Sequence, residues 1–229
     1  MNNIIEAFGF FFIHLTHKAD SMNKDTYCII MAGGLGTRFW PISRSDYPKQ
    51  FIDILGTGES LLQQTYDRFA QLVPEENILV VTNENYKHLV QDQLPDLYNS
   101  QILLEPARRN TAPCLAYASY KINDINPDAN IIVTPSDHII TKESNFLNTI
   151  QEALDVTEKT DWILTLGINP SRPETEYGYI QYDDSKSEKI NNNIFRVRTF
   201  SEKPDEEMAE KFLESGDFLW NSGIFVASL

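Results

Sequence analysis

A chain of 229 residues that is 41% hydrophobic and 11% aromatic can bury one sizeable core, so one domain or most of one is expected. Its formal net charge of −14 excludes nucleic acid and anionic membranes as broad electrostatic partners, because both demand an extended positive field. Cys28 lies in an apolar run and Cys114 in a helical pattern, so both read as buried small hydrophobes of a reducing cytoplasm rather than as a disulfide or metal pair.

Residues 1–21 differ from the rest of the chain. Their apolar run, Ala7 to Ile13, is too short to span a bilayer, and Glu6 stands where a secretory peptide would carry positive charge. Residues 1–24 are expected to be a disordered leader or an extended gene start, Met22 lying close to the first strand, and residues 25–229 to form the domain proper.

That strand is predicted at Tyr27-Cys28-Ile29-Ile30-Met31, an unbroken apolar run of the kind that fills a parallel sheet. It opens onto Ala32-Gly33-Gly34-Leu35-Gly36-Thr37-Arg38 and then Pro48-Lys49-Gln50-Phe51. Gly33, Gly34 and Gly36 let backbone approach a phosphate chain with N–H groups aimed at anionic oxygens. Arg38, Arg44 and Lys49 add positive charge against one nearby acid, Asp46, so the expected guest is a polyphosphate. A Walker A loop would need Lys-Ser/Thr after its last glycine, where Thr37-Arg38 stands, and a dinucleotide fingerprint would need a third glycine in place of Phe39. A glycine-rich βα turn without a ligand is the bland alternative, and the basic residues and prolines after it argue against that reading.

Ser60 then caps a predicted helix with Leu62, Tyr66, Phe69 and Val73 on one face, and Asn77 to Thr82 reads as a second buried strand. Asn83 opens a helix to about Leu94, Ile102 to Leu104 is a short strand, and Asn110 to Ile122 is helical with Pro113 in its first turn. Ile131 to Thr134 is the fourth strand. A long helix carrying Phe146, Leu147, Ile150 and Leu154 comes next, then strands at Trp162 to Ile168, Tyr179 to Tyr182, Phe195 to Phe200 and Ile224 to Ala227. This βαβα order predicts a mainly parallel, doubly wound Rossmann-like sheet, with the later strands forming a smaller, substrate-facing β-rich layer.

Four further groups are read at strand ends or in loops. Glu105-Pro106-Ala107-Arg108-Arg109-Asn110-Thr111-Ala112-Pro113 is either a ligand loop or a helix start capped by Asn110. In Pro135-Ser136-Asp137-His138, the carboxylate of Asp137 suits Mg²⁺, a hard cation that takes few protein oxygens and the rest from phosphate and water; a turn cap is the alternative. His14, His17, His88 and His138 show no paired ligand spacing, so none is read as a metal ligand. Thr175-Glu176-Tyr177-Gly178-Tyr179-Ile180 lets backbone meet a flat ligand or marks a β-bulge. Ser201-Glu202-Lys203-Pro204 and Trp220-Asn221-Ser222-Gly223 offer a carboxylate, an ammonium and an amide to a polyhydroxy, phosphorylated partner.

Over residues 26–229 the ordered set of AGGLGTRFWPISR, PKQF, EPARRNTAP, PSDH, YGYI, EKP and WNSGIF resembles the sugar-nucleotide pyrophosphorylases, a nucleotidyltransferase family, and most of all its members that make GDP-mannose. The resemblance implies a GT-A-like nucleotide-diphospho-sugar transferase fold. It also implies a Mg²⁺-dependent reaction in which mannose 1-phosphate attacks the α-phosphorus of GTP in line, giving GDP-mannose and pyrophosphate. By the same resemblance Gly33, Gly34, Gly36, Thr37, Glu105, Arg109, Asn110 and Thr111 would bind the nucleotide, with Glu105 helping to choose guanine. Arg38 and Lys49 would neutralise the triphosphate, Asp137 would hold the metal, and Arg44 is a further candidate. Gly178, Glu202, Lys203 and Asn221 would bind the sugar phosphate. Family members continue past WNSGIF and supply a second acidic metal ligand from a W-x-D-x-G turn, which these 229 residues lack, so the domain is expected to be truncated at its C-terminal end. Two alternatives stay open: a uridylyl- or thymidylyltransferase acting on glucose 1-phosphate, and a catalytically silent sugar-nucleotide-binding domain. The sequence leaves a homo-oligomer open.

Overall fold

The computed structural model describes residues 22–36, 39–106, 110–183 and 193–229. Residues 1–21 of the leader expected over 1–24, and the candidates Thr37, Arg38 and Arg109, lie outside them. The chain forms two units, one running to Ile163 and taking up Val226–Leu229, the other Leu164–Phe225.

The first unit is a parallel sheet with helices. Strands β1 (Thr26–Met31), β2 (Ile78–Thr82), β3 (Ile102–Leu104) and β4 (Asn130–Pro135) run in the order β3-β2-β1-β4. Register pairs Cys28 with both Ile78 and Ile132. β1, β2 and β4 are buried along almost their whole length, which explains why they read as unbroken apolar runs. β4 begins one residue before the expected span and ends one after it, whereas β2 begins at Ile78. Asn77 instead closes a 3₁₀ turn and donates from Nδ2 to Lys24 O (2.8 Å) and Thr26 O (3.0 Å), tying the sheet to the chain before β1.

Helix α1 (Leu61–Phe69) starts at the expected cap: Gln63 N donates to Ser60 Oγ, and Ser60 N donates back to Gln63 Oε1. Leu62 and Phe69 are buried as expected, but Tyr66 is half-exposed and Val73 is buried beyond the helix end. The helix expected from Asn83 is a 3₁₀ turn, Glu84–Tyr86, leading into α2 (Lys87–Gln93). Helix α3 (Thr111–Asn123) buries Cys114, Ala118 and Ile122, four residues apart, and α4 (Glu143–Thr157) buries Ile150, Ala153, Leu154 and Thr157. Thr157 Oγ1 donates to Asn130 Oδ1 at 2.8 Å, joining the end of α4 to the start of β4.

The second unit contains antiparallel strand pairs. It contains β5 (Leu164–Ile168), β6 (Gly178–Asp183), β7 (Arg196–Glu202), helix α5 (Glu206–Ser215) and most of β8 (Phe218–Ser228). β6 pairs with β7 on one side and β8 on the other, and β5 pairs with β8. Two expectations need correction. β5 starts at Leu164, leaving Trp162 and Ile163 exposed outside it, and β8 runs straight through Trp220-Asn221-Ser222-Gly223, which was expected at a strand end or in a loop. Helix α5 was not anticipated; Asp205 caps it by accepting from Met208 N (2.9 Å), and Gly216, at φ 76°, ends it.

Candidate active site

In the first unit β1 is flanked by β2, the next strand in sequence, and by β4, so the winding direction reverses between β1 and β4. The carboxyl ends of strands at such a reversal form a crevice suited to a ligand. Two segments meet there: the glycine loop after β1 and Ser136-Asp137 after β4.

The loop is held from beneath by residues to which the sequence motifs assign no role. Gln50 is buried and donates from Nε2 to Ala32 O (3.0 Å) and to Gly34 O (2.9 Å). Thr82 Oγ1 donates to the same Ala32 carbonyl at 3.1 Å, and Ser136 Oγ donates to Met31 O at 2.8 Å. Gln50 stands between Lys49 and the buried Phe51 in a short 3₁₀ turn. Of the glycines, Gly36 is required on two counts: its φ is +62°, and a Cβ there would lie 2.5 Å from Ser43 Oγ and 3.1 Å from Lys49 N. A Cβ at Gly34 would meet nothing within 4 Å.

Lys49 and Asp137 are brought together across this crevice. Lys49 Nζ lies 2.6 Å from Asp137 Oδ2, the two side chains being 27% and 25% exposed, and the ammonium stands 5.2 Å from the centre of the Phe39 ring. Asp137 is thus the ion-pair partner of Lys49. At His138 beside it burial lowers the pKa, Asp137 opposes the shift, and the cations of Lys49 and Arg68 add to it. Arg44 is exposed, and its Nε makes only a long contact (3.5 Å) to Pro41 O.

Glu105 directly follows β3, with its N–H donating to Thr82 O (2.8 Å). Its Oε2 lies 3.3 Å from where a Gly33 Cβ would stand, so this carboxylate adjoins the glycine loop. The Cys114 thiol, pushed up to about 12 chiefly by burial, is further raised by the charge of Glu105 and a hydrogen bond to it. Asn110 does not make the helix cap held as the alternative to a ligand loop: its side chain makes no capping bond, and its backbone sits at φ 66°, ψ −169°. A non-glycine residue held there stores strain, which tends to collect at functional loops. Thr111 comes next, as the exposed first residue of α3.

Among the described residues no three His, Cys, Asp or Glu side chains cluster to hold a metal by themselves. The donor set at this crevice fits instead an ion held through the one carboxylate of Asp137 and otherwise by phosphate oxygens and water.

The second unit gathers the remaining candidates on β6, β7 and β8. Gly178 pairs with Glu202, and a Cβ on Gly178 would lie 2.8 Å from Glu202 Oε2 and 3.0 Å from Phe200 Cζ, so the glycine makes room for that carboxylate. The bulge held as its alternative lies further along β6, between Gln181 and Tyr182. Lys203, at φ 47°, donates from its backbone N–H to Tyr177 O (3.2 Å), and its Nζ is 3.4 Å from Glu202 Oε1. On β8, Asn221 Oδ1 accepts from Thr165 Oγ1 (3.0 Å) and from Gly223 N (3.1 Å). The opposite face of these strands is apolar, with Tyr179, Phe218 and Trp220 packed on Ala209 and Phe212 of α5.

Residues 27–229 match the family model described as nucleotidyl transferase. Mannose-1-phosphate guanylyltransferase of Salmonella montevideo is 43% identical over 202 residues, covering 86% of this chain and 42% of the relative. Alginate biosynthesis protein AlgA of Pseudomonas aeruginosa is 40% identical over 200 residues, covering 86% and 40%. The chain thus spans about two fifths of the length of these curated relatives. A crystal structure from Thermus thermophilus, described as a mannose-1-phosphate geranyltransferase, superposes with TM-score 0.79 at 31% identity, covering 89% of this chain and 57% of that one. Among the described residues no helix is long and apolar enough to cross a membrane.

Proposed function

We propose that this chain, which belongs to the nucleotidyl transferase family, transfers a guanylyl group from GTP to mannose 1-phosphate, releasing pyrophosphate and forming GDP-mannose. The observation that carries the reading is the Lys49–Asp137 pair, an ammonium and a carboxylate 2.6 Å apart beside a glycine loop at the reversal point of a parallel sheet. A triphosphate with its counter-ion needs both signs of charge in one place.

In the reaction an oxygen of the sugar phosphate forms a bond to the α-phosphorus of GTP while the bond to the pyrophosphate oxygen breaks, the electron pair leaving with pyrophosphate. No covalent intermediate on the protein is needed, so the side chains align two anions and stabilise the added charge. The loop from Gly33 to Gly36 presents backbone N–H groups to the phosphates, and Gln50 fixes its carbonyls away from them. Lys49, and Arg38 by family resemblance, meet the charge that grows on the departing pyrophosphate. Enzymes of this family generally use a divalent metal; here Mg²⁺ would be held by Asp137 and would neutralise phosphate charge when bound.

Glu105 accepts from guanine N1–H and N2–H₂, which lie side by side, whereas uracil shows one N–H between two carbonyls. Asn110, Thr111 and Arg109 complete the nucleotide site. In the second unit Glu202 and Asn221 read sugar hydroxyls over Gly178, and Lys203 meets the sugar phosphate. We place the protein in the cytoplasm, in keeping with its two free, buried cysteines.

The test is a panel of GTP, UTP and dTTP against mannose 1-phosphate and glucose 1-phosphate, scored by pyrophosphate release and product mass. GDP-mannose as the preferred product supports the proposal. Preference for a pyrimidine nucleotide with glucose 1-phosphate overturns it.

A further inference from the structure

The open face of the second unit contains an amide whose orientation is fixed by a residue outside every sequence motif. Tyr179 pairs with Trp220, and both pack towards α5, so their neighbours Gly178 and Asn221 turn to the opposite face, where Glu202 stands across from Gly178. Asn221 can present either its carbonyl oxygen or its NH₂ to that face. The Gly223 N–H decides which, and the Thr165 hydroxyl secures the amide in that orientation. Gly223 N–H, which can only donate, points at Asn221 Oδ1 from 3.1 Å, and Thr165 Oγ1 lies 3.0 Å from the same oxygen. Were the amide reversed, its NH₂ would face the Gly223 N–H, donor against donor. Thr165 Oγ1 also lies 3.0 Å from Ile224 O, so its single proton is shared between two acceptors, and β5 is thereby tied to β8 at the residue that needs orienting.

We infer that Thr165 is a positioning residue for the sugar phosphate: it holds the Asn221 carbonyl inward so that only N–H donors face the ligand. The face over Gly178 then offers the Glu202 carboxylate as an acceptor and the Asn221 amide as a two-proton donor. A polyhydroxy ligand must supply a hydroxyl that donates to the first and another that accepts from the second. This rests on the reading of Asn221 as a sugar contact, and the experiment separates the two claims.

Steady-state KM values for mannose 1-phosphate and for GTP are measured in wild type, Thr165→Val, Thr165→Ser and Asn221→Ala. Valine keeps the shape of threonine and removes the hydroxyl, whereas serine keeps the hydroxyl. Loss of one neutral hydrogen bond that orients the amide raises KM for mannose 1-phosphate about 3- to 10-fold in Thr165→Val. KM for GTP is unchanged, Thr165→Ser stays near wild type, and Asn221→Ala shows the larger rise. A normal mannose 1-phosphate KM in Thr165→Val alongside a raised one in Asn221→Ala overturns the role of Thr165 and leaves the reading of Asn221 standing. An unchanged KM in Asn221→Ala removes both. Equal rises for the two substrates in Thr165→Val, or a serine variant no better than valine, mark Thr165 as a general structural residue and overturn the inference.

Discussion

The carbonyl of Ala32 is the point where the glycine loop is fastened to the sheet, and a double-mutant cycle can measure it. Ala32 is fully buried, and its oxygen accepts from Gln50 Nε2 at 3.0 Å and from Thr82 Oγ1 at 3.1 Å. Thr82→Val removes one neutral bond while Gln50 still serves the oxygen, a loss of about 0.5–1.5 kcal/mol. Gln50→Leu removes that bond and the 2.9 Å bond to Gly34 O, which is less buried and can turn to water, for about 1–3 kcal/mol. In the double variant the buried Ala32 oxygen has lost both partners, so its desolvation is uncompensated. The combined cost then exceeds the sum of the singles by on the order of 1–2 kcal/mol. Urea unfolding of the four proteins gives these values directly, and the matching fall in Tm is roughly 2–4 °C per kcal/mol for a chain of this size. Costs that add to within about 0.5 kcal/mol would show that the two side chains act independently and that the loop is not fastened through this atom.

Other outcomes are expected at the site. Asp137→Asn should weaken Mg²⁺ dependence and turnover together, since an amide carries no charge for a hard ion, and a wild-type Mg²⁺ titration would remove Asp137 from the metal site. Glu105→Gln should lose about 10- to 100-fold in the ratio of kcat/KM for GTP over UTP, whereas an equal fall for both nucleotides would make Glu105 a scaffold for the loop. His138 has its pKa lowered by burial, so the unfolded chain takes up a proton there before the folded one does. Its effect is therefore absent well above the ordinary value of about 6.5, and stability is lost as pH falls from there towards the folded value. His138→Gln should flatten the stability profile as pH falls through about 6.5, and an unaltered slope would assign the acid sensitivity elsewhere.

Much of the parallel sheet was legible because its strands are buried on both faces. Cys28-Ile29-Ile30 and Ile131-Ile132-Val133 need no alternation, and length together with the glycines after β1 distinguishes strand from helix. The second unit was harder. The strand expected over Phe195 to Phe200 overlaps β7, but Trp220-Asn221-Ser222-Gly223 contains turn formers that the pairing of β8 with β6 overrides. Helix α5 is signalled in the letters by Asp205 with Glu206 and Glu207, a start signal that directly follows the loop residue Pro204. At the site, the residues with charge or special backbone, Lys49, Asp137, Gly36 and Gly178, stand out in the letters. The uncharged residues that orient them, Gln50, Thr82 and Thr165, do not, because a hydrogen bond between strands distant in sequence leaves no local pattern.

The central claim is that the crevice at the ends of β1 and β4 handles the triphosphate, and Lys49→Ala tests it most directly when pyrophosphate release from GTP and mannose 1-phosphate is measured beside the urea unfolding curve. Removing a donor to charge that grows in the transition state should slow turnover by about 10²-fold or more. Because Lys49 and Asp137 are partly exposed, the unfolding midpoint should move little. Unchanged kcat in a folded Lys49→Ala protein would contradict the account.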